Sequence, residues 1–140
     1  MATPETTMTV VSSENLPVVS EPDIVVARRR VREVAAQIGL SIVDQTKLVT
    51  AASELARNTL IYGGGGDMRI ESLNGPRLGV RLTFQDNGPG IADVQLALRD
   101  GFTTGSGLGL GLSGSKRLVN EFEIESQVGR GTKVTITRWK

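Results

Sequence analysis

The 140-residue chain contains neither cysteine nor histidine. The first absence rules out disulfides and thiolate metal sites. The second removes the usual general base, phosphohistidine chemistry and imidazole metal ligands. Any catalysis must therefore rest on carboxylates, amides, hydroxyls, Lys and Arg. An excess of charge is also missing: 16 Lys and Arg against 15 Asp and Glu leave a formal net charge of +1, which offers no global attraction to nucleic acid or membrane. Arg28, Arg29, Arg30 and Arg32 nonetheless form a local basic cluster, either a protein-docking face or a solvated one. No run approaches the ~18 apolar residues of a membrane span, and the N-terminus lacks the basic, apolar and small-residue succession of a signal peptide. These absences predict a cytoplasmic protein without nucleic-acid or membrane partners. A single domain over residues 1–140 is expected, with a loose tail at residues 1–6.

What is present is a regular alternation of periods. Residues 7–12 read as an edge strand. Ser20, Pro22 and Asp23 then form a capping-box pattern, and Ile24, Ala27, Val31, Val34, Ala35 and Ile38 follow at helical spacing up to a stop at Gly39. Ser41 and Asp44 repeat the cap, and Leu48, Ala51, Ala52, Leu55, Thr59 and Tyr62 trace a second helix into four glycines at 63–66. Residues 68–73 and 78–85 predict a hairpin around Asn74, Gly75 and Pro76. Beyond it come a short helix at 93–99, a stretch at 101–111 too glycine-rich for regular structure, and a third long helix at 112–122. A hairpin of residues 123–128 and 132–139 closes the chain through Gly129 and Gly131. Helices grouped between antiparallel hairpins predict an α/β two-layer sandwich, its mixed, mainly antiparallel sheet covered on one face by helices.

Three segments carry possible chemistry. Leu78, Val80, Leu82 and Phe84 share one strand face, and Asp86 is the next residue in that register. Burying an ionised carboxylate without donors costs several kcal/mol, so Asp86 either turns into solvent or accepts hydrogen bonds. Gly88 and Gly90 follow it and would let backbone approach a ligand closely. On the second helix Glu54 and Asn58 lie one turn apart on a stripe beside the core face; they are a polar flank or the few oxygen ligands a hydrated Mg²⁺ needs. Arg57 beside them meets phosphate or pairs with an acid. Gly105, Gly107, Gly109 and Gly111 alternate ahead of a helix, a pattern that suits a loop wrapping phosphate oxygens with backbone N–H groups. Lys116 and Arg117 beyond it read as surface charges.

Taken in order, these segments and a fourth around Gly129, Gly131 and Thr132 resemble the four sequence boxes of the GHKL ATPases. Within that superfamily the chain resembles the RsbT-like serine/threonine kinases of bacterial partner-switching pathways. Residues 54–58, 100–104, 116–118 and 121–124 carry this closer likeness, which extends over residues 23–139. The resemblance implies ATP and Mg²⁺ as cofactors. It implies Asp86 as acceptor for the adenine amino group, with Gly88 and Gly90 admitting the ring and Thr132 completing the contact through water. It also implies Asn58 as metal ligand, Gly105, Gly107, Gly109 and Gly111 around the β- and γ-phosphates, and Glu54 as the group that orients or deprotonates the attacking hydroxyl. The implied partners are a STAS-domain antagonist as substrate and, for the released kinase, a PP2C-type phosphatase. An anti-sigma-factor kinase and an ATP-dependent interaction module without phosphotransfer are the alternatives. Unlike histidine kinases, the chain has no histidine to phosphorylate, and the long lid of larger relatives is reduced to residues 92–104.

Overall fold

Two serines start the two long helices by different means. The computed structural model describes residues 8–99 and 111–140. Helix α1 (Glu21–Gln37) has Ser20 as N-cap, but the serine side chain caps nothing; Asp23 reaches back instead and accepts the Val19 N–H at 2.9 Å. Helix α2 (Ile42–Ile61) has the converse half of the capping box, with Ser41 Oγ accepting the Asp44 N–H at 3.1 Å. The Asp44 carboxylate accepts from Arg138 instead, at 2.7 Å. Between the helices Gly39 takes φ +89°, which ends α1 as expected.

The strands are β1 (Thr9–Val18), β2 (Gly66–Asn74), β3 (Gly79–Asp86), β4 (Glu121–Gln127) and β5 (Gly131–Trp139), in the spatial order β1-β2-β3-β5-β4. All four ladders are antiparallel. The mixed component expected of the sheet is thus absent among the described residues. Two helices between β1 and β2 return the chain to the end it left, so β2 must run back alongside β1. Met68, Ile70, Val80, Leu82, Phe84, Val134 and Ile136 form the inner face, buried against Val31, Leu48, Ala52 and Leu55 of α1 and α2. Each large side chain so buried contributes about 1.5–3 kcal/mol.

Of the boundaries that differ from those expected, three have a readable cause. Strand β1 extends to Val18 because its pairing with β2 continues to Val18↔Gly66, and Pro17 is tolerated on an edge strand. The third long helix is only α4 (Gly111–Arg117). Asn120 ends the helical stretch: its N–H donates to the Thr137 carbonyl at 2.9 Å and its Oδ1 accepts the Trp139 N–H at 2.7 Å. Strand β4 accordingly begins at Glu121. The short helix α3 (Val94–Ala97) is present, with Asp93 accepting the Leu96 N–H at 3.0 Å. The loose tail expected at residues 1–6 and most of the glycine-rich stretch lie outside the described residues.

The sheet face away from the helices is polar. Glu71 and Arg81 are cross-strand partners there, and Arg81 donates two hydrogen bonds to the Glu71 carboxylate, at 2.8 and 3.2 Å. The Glu71 hydrogen bond, partly opposed by desolvation, raises the Arg81 pKa above its already high ordinary value.

Candidate nucleotide-binding site

Between α2, the inner ends of β3 and β5, the turn after β3, and helices α3 and α4 lies a cavity of about 450 Å³, within the size range of small-molecule sites. Phe84 and Val134 of the sheet, Leu55 of α2, and Ile91, Leu96 and Leu112 around the rim make most of its lining apolar. Asn58, Asp86 and Thr132 bring polar groups to the same space. Thr59 also lines it, but its hydroxyl donates back to the Leu55 carbonyl at 2.9 Å and its methyl packs close to Gly66.

Asp86 is not solvated away from the pocket. Its Oδ1 accepts the Gly88 N–H at 2.9 Å and the Thr132 N–H at 3.2 Å. Two backbone donors on one oxygen offset much of the cost of placing the acid there. Its Oδ2 receives no hydrogen bond from the described residues, so one acceptor remains for a ligand.

The glycines after Asp86 have a packing role of their own. A Cβ at Gly88 would stand 2.7 Å from the Gly63 Cα and carbonyl oxygen, so two backbone segments touch here. Gly88 does not line the cavity. Gly90 does, at φ +76°, yet its missing Cβ makes room for the Gln127 carbonyl. The turn after Asp86 is thus shaped in part by the protein packing on itself.

Asn58 lines the cavity, and its side chain makes no hydrogen bond to the described residues. One turn earlier on α2, Glu54 is half-buried and lies outside the cavity lining, with no ion pair or hydrogen bond to the described residues. Arg57 pairs with Glu21 at 3.3 Å, which decides for the acid-pairing reading of that residue. In the basic cluster Arg30 is held by Glu14 at 2.5 Å and Arg32 reaches Gln45 at 3.4 Å; Arg28 and Arg29 are exposed. Gly111 lines the cavity at the start of α4, at φ +67°. Gly105, Gly107 and Gly109 fall outside the described residues.

Among the described residues there is no cluster of three acidic side chains that could hold a metal alone. A hydrated Mg²⁺ needs only one or two protein oxygens when phosphates supply others, and the unengaged Asn58 carboxamide, a hard oxygen donor beside the cavity, suits that requirement.

Residues 43–140 match the family described as histidine kinase-, DNA gyrase B-, and HSP90-like ATPases. The chain is 43% identical over 123 residues to the serine/threonine-protein kinase RsbT of Bacillus subtilis (strain 168), covering 87% of this chain and 92% of that protein. The chain belongs to the GHKL ATPases, among the RsbT-like kinases. An anti-sigma F factor of Thermoanaerobacter sp. (strain X514) is 31% identical over 81% of this chain and 82% of its own length. In three dimensions the chain resembles the structure of the RsbU and RsbW domains of a Mycobacterium tuberculosis protein, with TM-score 0.63 and 23% identity, over 92% of this chain and 33% of that one. The mycobacterial sensor histidine kinase MprB gives a TM-score of 0.55 at 17% identity, over 91% and 97% of the two chains. These two likenesses concern the fold alone. Family membership makes the enzyme an ATP-dependent serine/threonine protein kinase of the partner-switching type.

Sequence reasoning passed over Ile91, Leu96 and Leu112, which line the GHKL cavity, and Ser126, which binds its rim; Tyr62, also in the lining, was read on the second helix without a role in the site. Gly63 was read only as part of a helix stop. The signal for Ser126 was legible: Phe122, Ile124 and Ser126 share one register, in which the third member is polar, as with Asp86.

Proposed function

We propose that this kinase binds Mg-ATP in the cavity and phosphorylates a serine or threonine of a STAS-domain antagonist in the cytoplasm. Once released, it binds and activates a PP2C-type phosphatase. The observation that carries the nucleotide assignment is the half-committed carboxylate of Asp86: Oδ1 is fixed by two backbone N–H groups while Oδ2 is left for one donor. The 6-amino group of adenine is such a donor, and the apolar walls suit a purine ring. Thr132 stands beside Asp86 on the same rim.

Asn58 would hold the magnesium ion, which neutralises charge on the phosphates. Gly111, with Gly105, Gly107 and Gly109, would bind the phosphate oxygens. Phosphoryl transfer needs mainly positioning and charge stabilisation, so a chain without histidine loses nothing essential. Glu54 lies one helical turn from Asn58 and outside the cavity lining, so bound nucleotide would leave its carboxylate available to orient or deprotonate the incoming hydroxyl.

The 31% identity to anti-sigma F factors supports a second reading, in which the partner is a sigma factor. Pull-down of purified antagonist and sigma factors on the immobilised kinase separates the two. Capture of the antagonist alone is expected; capture of a sigma factor alone would favour the second reading.

A further inference from the structure

Arg138 joins two helices that line the cavity, at the ends of both that lie farthest from it. Val134 and Ile136 of β5 belong to the inner face of the sheet, and Arg138 is the next residue in that register, opposite Val80. Its guanidinium donates to the carboxylate of Asp44, in the first turn of α2, at 2.7 Å, and to the carbonyl of Leu118, directly after α4, at 3.3 Å. Helix α2 reaches the cavity about 20 Å further on, with Asn58, whereas α4, only about 10 Å long, begins at the cavity with Gly111. The two helices pack on each other, so one side chain ties the start of the first to the end of the second. The pair is largely withdrawn from solvent, with 16% exposure for the Arg138 side chain and 29% for that of Asp44, and the arginine Nε is buried without a hydrogen-bond partner among the described residues. This is a poor way merely to fill space, since apolar side chains often replace a buried ion pair at little cost in stability. What they cannot replace is a fork of donors that grips two elements at once.

We propose that Arg138 is a positioning residue for the phosphate half of the site: by holding Asp44 and Leu118 it sets where α4 stands against α2, and with that the separation of Gly111 from Asn58. The proposal rests on the assignment of these two residues to phosphate and magnesium. The other half of the site is built differently. Asp86 is fixed by the Gly88 and Thr132 N–H groups, none of which belongs to α2 or α4. Loss of the Arg138 fork therefore costs affinity for the β- and γ-phosphates and spares a nucleotide that lacks them.

The test is calorimetric titration of the full chain with ATP and with AMP, magnesium present, as the unaltered protein, Arg138→Met, Arg138→Lys and Asp44→Ala. Arg138→Met keeps much of the apolar stem and removes the donors; ATP affinity is expected to fall about three- to thirtyfold while AMP affinity stays. Asp44→Ala is expected to lower ATP affinity less, because the Leu118 contact remains, and to add nothing to Arg138→Met in the double variant. Arg138→Lys, which keeps the charge but not the fork, is expected to recover part of the loss. A residue that only stabilises the fold would leave both affinities alone or lower them together, so an unchanged ratio of ATP to AMP affinity in Arg138→Met overturns the proposal. Should Arg138→Met lose its fold by circular dichroism, Asp44→Ala carries the test, and an unchanged ratio there overturns the proposal equally. Asn58→Ala separates the two levels of the reading. If it lowers the ratio while Arg138→Met leaves it intact, only the role of Arg138 fails; if it leaves the ratio intact, the magnesium assignment fails and takes the proposal with it.

Discussion

At Asp86 a strand that has buried Leu82 and Phe84 presents an acid in the same register, and the acid is held there by the Gly88 and Thr132 N–H groups on one oxygen. Removing the carboxylate by Asp86→Ala deletes one charged hydrogen bond to the base and is expected to weaken ATP binding by ~1.5–3 kcal/mol in calorimetry; unchanged affinity would remove Asp86 from base recognition. The acid was legible as an interruption of a period-two pattern. Its neighbours were not, because what Gly88 and Gly90 touch belongs to segments distant in sequence, Gly63 and Gln127. Gly63 provides a separate test, since a Cβ there would stand 2.4 Å from Asp86 Cγ. Gly63→Ala should displace the carboxylate and lower ATP affinity to an extent comparable with Asp86→Ala. Gly64→Ala, where nothing lies within 4 Å, should lose some stability through its positive φ but retain affinity.

Among the elements, α1 and α2 were readable because their caps and their 3.6-residue periods agree. Strands β1 and β4 were less so, because an edge strand is defined by its partner: Val18 counts as strand only because Gly66 lies opposite. Leu118 and Phe122 are compatible with a continuing helix, and the hydrogen bonds of Asn120 to β5 decide against it. The outer sheet face offers a stability test. Arg81→Ala would leave the 9% exposed Glu71 side chain without its partner. Allowing for an arginine that is itself 29% exposed, the expected cost is ~1.5–3 kcal/mol in urea unfolding. Glu71 raises the arginine pKa, so the arginine's contribution is complete below its ordinary value and is lost only as pH climbs past the raised one. The charge on Arg81 should therefore give the unaltered protein no stability change between about pH 6 and 9. A stability step in that range that Arg81→Ala abolishes would contradict this.

For the whole molecule, the two-layer arrangement brings α2, the ends of β3 and β5, and the start of α4 around one cavity, so that residues far apart in the chain meet on one ligand. The order of the boxes was legible in the sequence; their convergence on a half-committed carboxylate needed the coordinates. Among the described residues, Glu54 is the one member of the proposed machinery standing outside the cavity lining, on the side open to a protein substrate. The most direct measurement of the proposed function is transfer from radiolabelled ATP to a purified STAS-domain antagonist, by the unaltered kinase and by Glu54→Ala, with ATP affinity determined for both. Expected is label on an antagonist serine or threonine with the unaltered protein, and transfer slowed ~10²–10⁴-fold in Glu54→Ala at unchanged affinity. Bound ATP with no label on the antagonist would contradict the proposed function, and undiminished transfer by Glu54→Ala would remove the base from it.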